Sequence, residues 1–146
     1  MKTLVKYLFF FGIVLGLQSN AIGQCKSFTK NECKPKLSPY IYNGQLNSAV
    51  LNEGDIAELM ITFYSNQDYR IVVCSADELN GVVFKLKDAG GQEIFTNTDH
   101  DMVDFWDFHT KSTQQLIIEV SVPENSTGEN YKSGCVSILV GFLDKK

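Results

Sequence analysis

Asn97-Thr98-Asp99-His100-Asp101 sets oxygen-bearing side chains at alternate positions, with Asp104 and Asp107 close behind. A loop wraps a hard cation such as Ca²⁺ in this way. An EF-hand wants glycine where Met102 stands and glutamate where Phe108 stands, so that motif is excluded. Asn97, Asp99 and Asp101 are left as a looser Ca²⁺ candidate, weighed against a solvated acidic loop. His100 adds one imidazole among carboxylates, a weak transition-metal site, and the expectation is no metal and no cofactor. Asp99, Asp101, Asp104 and Asp107 also offer the carboxylate pairs that glycoside hydrolysis uses. Aspartates are common in turns, however, the chain's histidines are His100 and His109, and no GxSxG is present. A small hydrolase working through these carboxylates therefore ranks third among the functions considered, and the expectation is not an enzyme.

The same stretch interleaves acids with aromatics. Phe105, Trp106 and Phe108 alternate with Asp104 and Asp107, and Tyr40, Tyr42, Tyr64, Tyr69 and Tyr131 add further rings. Whichever face of such a strand is buried, the other shows aromatic or acidic groups, a surface suited to a partner with a basic, partly apolar patch. The residues expected to bind are Asp99, Asp101, Asp104, Phe105, Trp106 and Asp107, with Tyr40 and Tyr42 in support. Trp106, taken singly, is better explained by packing. A cell-envelope accessory or protein-interaction module acting by non-covalent binding ranks first and a carbohydrate-binding module second. Sugars need two or three coplanar exposed rings, whereas a protein needs a patch or an unpaired strand edge.

The elements that must position these groups are strands. Val82, Phe84 and Leu86 share one face and Val83, Lys85 and Lys87 the other, Asp88-Ala89-Gly90-Gly91 turns the chain, and Glu93, Ile94 and Phe95 resume it as a hairpin. Ile56 to Ser65 alternates cleanly, with Ala57, Leu59, Ile61 and Phe63 on one side. Gln115 to Val122 does the same through Leu116, Ile118, Val120 and Val122. Tyr69 to Ser75 and Val103 to Phe108 read as strands, and Tyr40 to Leu51 as a strand broken at Asn43-Gly44. Cys135 to Phe142 is apolar on nearly both faces, which predicts a central strand. No amphipathic helix longer than about one turn is expected. About eight strands spaced by turns predict an all-β fold, a single jelly-roll-like β-sandwich.

Through the Gly54-Asp55 turn, VVFKLKDAGGQEIFTN, LIIEVSV and GCVSILVGF, the chain resembles small secreted β-sandwich modules of the pre-peptidase C-terminal type and their jelly-roll relatives. Through PYIYNGQLNSAVL, ITFYSNQDYRIVVC and STQQLIIEV it also looks like small exported proteins of Gram-negative bacteria, a resemblance that brings no activity with it. Neither implies catalytic residues.

Residues 1–23 read as a cleaved export signal: Lys2 and Lys6, an apolar run from Tyr7 to Leu17, and the small-x-small site Ala21-Ile22-Gly23. Residues 24–38 form an irregular lead rich in lysine and cysteine, interrupted by Pro35, and 39–146 the sandwich domain. The expected place is exported, periplasmic or secreted, with no membrane span in the mature chain. Of 13 basic residues, 11 remain after cleavage against 17 acidic ones, a net charge near −6. That sign disfavours nucleic acid and anionic lipid and leaves an envelope or secreted protein, or a glycan, as partner. An exported chain with four cysteines favours disulfides. No pair has CxxC spacing, so a cysteine metal site is disfavoured. Among the three pairings of Cys25, Cys33, Cys74 and Cys135, Cys25 with Cys33 and Cys74 with Cys135 is preferred.

Overall fold

The computed structural model describes residues 21–125 and 130–144. Most of the expected export signal lies outside the described residues, and its last residues open a helix, Ala21–Phe28, that runs through the expected processing point.

Two antiparallel sheets form a β-sandwich. The first has the order β1 (Ile41–Tyr42), β9 (Ser133–Phe142), β4 (Gln67–Ser75) and β7 (Phe105–Thr110), with β2 (Asn47–Asn52) also paired to β9. The second runs β3 (Ile56–Phe63), β8 (Gln114–Ser121), β5 (Val83–Asp88), β6 (Glu93–Thr96). The period-2 rows face inward as the sequence predicts: Phe63 from β3, Phe84 and Leu86 from β5, and Leu116, Ile118 and Val120 from β8 are buried. They meet Tyr69, Ile71 and Val73 of β4 and Val136, Ile138 and Val140 of β9 in one core. β9 is central, bonded to β4 on one side and to β1 and β2 on the other. The β5–β6 turn is held by Asp88, whose Oδ1 accepts from the Gly90 and Gln92 amides, and Gly91 takes φ 84°, where a Cβ would be strained. On the outer face of the second sheet Lys87 pairs with Glu119 and Lys85 with Glu93, a solvated ionic face.

The lead is not irregular. From Ala21–Phe28 the chain continues through a π-helical turn, Thr29–Cys33, and a 3₁₀ turn, Lys34–Leu37. Cys25, Thr29, Cys33 and Leu37 are all buried, a row with four-residue spacing. In a pure α-helix of 3.6 residues per turn such a row would wind away from the sheet, and the wider π turn keeps it facing the same way. Pro35 sits in the first turn of the 3₁₀ segment, where its missing N–H costs little. Buried threonine and cysteine concealed this stripe from a hydrophobicity reading. The lead packs on the outer face of the first sheet, where Cys33 and Leu37 meet Val72, Cys74 and Leu139. The Thr29 hydroxyl lies 2.7 Å from that of Ser137, which donates to Ser48.

The preferred cysteine pairing is overturned. Cys25 is bonded to Cys135, with Cα atoms 5.3 Å apart, and Cys33 and Cys74 are buried thiols. The helical lead accounts for the difference: Cys25 and Cys33 both face β9 and β4 rather than each other.

Candidate functional site

The outer face of the first sheet is covered by the lead over Val72 and Leu139 and open beyond it. In that open part Arg70, the only arginine of the chain, projects from β4. Opposite it in register is Asp107 of β7. The guanidinium meets this carboxylate as a fork, Nε to Oδ1 and Nη2 to Oδ2 both at 2.7 Å. Its Nη1 donates to two carbonyls at the end of the lead, Lys36 at 3.2 Å and Ser38 at 2.8 Å. Ring faces close on it as well, Tyr40 at 4.8 Å and Phe105 at 4.5 Å from centroid to guanidinium carbon. The pairing with Asp107 holds Arg70 further above its already high value. Burial, then the nearby Asp107 charge, raises the Tyr40 phenol above its usual range.

Around this centre Lys36 bonds Asp104, which raises the lysine above its ordinary value. Lys34 lies 5.5 Å above the Tyr42 ring, and His109 Nδ1 is 2.7 Å from Asp68 Oδ1. The lead approaches the sheet closely here because β9 offers Gly141: a Cβ on it would lie 2.8 Å from Cβ of Tyr40 and 3.1 Å from Cδ2 of Leu37.

Five of the residues singled out in the sequence therefore share one face: Tyr40, Tyr42, Asp104, Phe105 and Asp107. Trp106 does not join them, because the alternation that turns Phe105 and Asp107 outward turns Trp106 inward, where it stacks on Phe95 at 4.1 Å. Asp99 and Asp101 are exposed in the loop entering β7. Asn97 is removed from the cation candidate. It is 2% exposed, its Oδ1 accepts from the Phe84 amide at 3.0 Å, and its Nδ2 donates to the Val82 and Val103 carbonyls. Its role is to tie the loop to β5. Among the described residues no three His, Cys, Asp or Glu side chains converge to hold a metal ion. Asp104 and Asp107, half of the carboxylates considered for hydrolysis, are each engaged by a cation.

Arg70 was missed in the sequence, although a single arginine on a strand of an otherwise lysine-bearing chain is the signal that marks it. A second surface was missed too. Between the sheets, where the β3 edge faces the Asn43–Asn47 segment, lies an open groove of about 970 Å³. Asn43, Gln45, Asn47, Gln67 and Tyr64 line it with apolar residues beneath, and none of its lining residues is charged.

No protein-family model matches the chain, and no curated protein matches it significantly. Among solved structures it is similar to Aeromonas hydrophila PliG, a periplasmic lysozyme inhibitor of g-type lysozyme, at 12% identity over 72% of this chain and 89% of that one, with a TM-score of 0.52. The CBM36-1 domain of a multidomain xylanase from the hindgut metagenome of Trinervitermes trinervoides aligns at 14% identity over 72% and 92%, with a TM-score of 0.31. The first likeness establishes a shared fold; the second carries no weight at that score. Among the described residues no helix is long and apolar enough to cross a membrane.

Proposed function

We propose that this protein is an exported, non-catalytic module that captures another protein of the cell envelope through the outer face of its first sheet, with Phe105, Tyr40 and Arg70 at the centre of contact. The observation that carries this reading is the fixed guanidinium: a forked carboxylate, two carbonyls and two ring faces hold Arg70 in one geometry before any partner arrives. Arginine and aromatic side chains ordered in the free protein lose little entropy on binding, which is how a few residues come to dominate an interface. Asp104 and Asp107 are balanced by Lys36 and Arg70, so attraction for a basic, partly apolar partner comes from Asp99, Asp101 and the overall negative charge. The shared fold with a periplasmic inhibitor that acts on another protein is in keeping with this.

The uncharged groove favours a second reading. Amides and a tyrosine without charges suit a neutral glycan. Wild type, Phe105→Ala and Tyr64→Ala baits, each cross-linked in native envelope extract and each tested against neutral polysaccharides, separate the two. The expected result is one protein retained by wild type and Tyr64→Ala and lost from Phe105→Ala. Retention by all three baits, or polysaccharide binding abolished by Tyr64→Ala, overturns the protein-binding reading.

A further inference from the structure

With Cys25 and Cys135 already joined, Cys33 and Cys74 remain. They come from opposite partners of one contact: Cys33 ends the π turn of the lead and Cys74 lies on β4. Both belong to the small cluster between lead and sheet, with Leu37, Val72 and Leu139 as neighbours, at 0% and 3% exposure. Their side chains are in hydrogen-bond contact, which draws the Cys33 thiol below its ordinary value and, together with burial, pushes that of Cys74 up. Two buried thiols in contact, in a chain that already carries one disulfide, are placed for oxidation.

We infer that Cys33 and Cys74 form a second disulfide, so that the oxidised protein holds its lead to the sheet by Cys25–Cys135 and Cys33–Cys74 and keeps no free thiol. The oxidant is a disulfide compound or disulfide-carrying oxidoreductase of an oxidising compartment. One thiolate attacks it, breaking its S–S bond, forming a mixed disulfide and releasing one thiol; the second thiolate attacks the mixed disulfide and releases the other. Two electrons pass to the oxidant, and the two thiol protons end on its sulfurs. Cys74 borders an open surface cavity of about 520 Å³ with Phe28, Glu32 and Lys36, an approach for the oxidant.

The bond also has a place in the architecture. Cys25–Cys135 anchors the start of the lead at the start of β9, while Cys33 precedes by three residues the Lys36 carbonyl that holds Arg70. The second bond would fix the part of the lead that organises the open face, and the inference holds whatever that face binds.

Tryptic mapping of the non-reduced protein, alkylated in denaturant, tests it. The expected product joins Asn31–Lys36 to Ile71–Lys85 and disappears on reduction, and the intact mass lies four hydrogens below that of the reduced chain. Alkylated Cys33 and Cys74, linkage of either to Cys25 or Cys135, or a mass only two hydrogens below the reduced chain would overturn it.

Discussion

Replacing Arg70 by lysine keeps the positive charge and discards the fork. The guanidinium makes two bonds to Asp107 and two to lead carbonyls, and contacts two rings, at 15% side-chain exposure. An ammonium reaches one carboxylate oxygen and at best one of the other partners. The losses are one arm of the pair with Asp107 and three of the four carbonyl and ring contacts. Each is worth roughly 0.5 to 1 kcal/mol in such surroundings, so Arg70→Lys should cost about 2 to 4 kcal/mol. With a urea slope of about 2 kcal/mol/M for a domain of this size, the midpoint falls by roughly 1 to 2 M at an unchanged slope. Equilibrium urea unfolding of the oxidised protein measures it. A double-mutant cycle with Asp107→Asn should then show coupling on the order of 1 kcal/mol. A midpoint that does not move, or singles that simply add, would mean that the guanidinium is not held by its neighbours and that the face is not ordered in advance.

Gly141→Ala drives a methyl group into Tyr40 and Leu37 and should lower stability by about 1 to 3 kcal/mol in the same assay; no change would mean that the lead does not sit closely on β9. Asn97→Ala leaves the Phe84 amide and two carbonyls without their buried partner and should cost about 2 kcal/mol or more. EDTA should leave the wild-type melting temperature where it is, and a large fall would restore a cation to the loop. Glu119 is held below the ordinary carboxylate range by its bond to Lys87. Its folded value is depressed, so its contribution is fully present above the unfolded value of about 4.3 and is lost as pH falls through the folded one. Glu119→Gln should flatten the acid limb of a stability-against-pH curve relative to wild type.

The strands of the sandwich were legible because their burial is one-sided. Ala57, Leu59, Ile61 and Phe63 alternate with exposed groups on β3, and Leu116, Ile118 and Val120 alternate with half-buried ones on β8, since each strand turns one side to the core. The centrality of β9 was legible for the opposite reason, its outward residues being covered by the lead. The lead itself was hidden, because its buried row is threonine and cysteine as much as leucine and its period is four. The cysteine pairing followed that error: with the lead read as irregular, Cys25 and Cys33 looked free to meet. Of the residues expected to bind, alternation sorted Phe105 and Asp107 from Trp106 only once the facing sheet was known. Arg70 and the uncharged groove depend on residues far apart in sequence, Arg70 bonding Lys36 and Asp107 and Asn43 lining the groove with Tyr64, which no local pattern records.

The proposed binding face is tested most directly by hydrogen exchange of the protein alone and with the envelope protein that the wild-type bait retains. The account predicts slowed exchange in Tyr40–Tyr42 and Phe105–Thr110, with the groove segments 43–47 and 59–65 unchanged. Protection confined to those groove segments, with β7 exchanging as in the free protein, would contradict it.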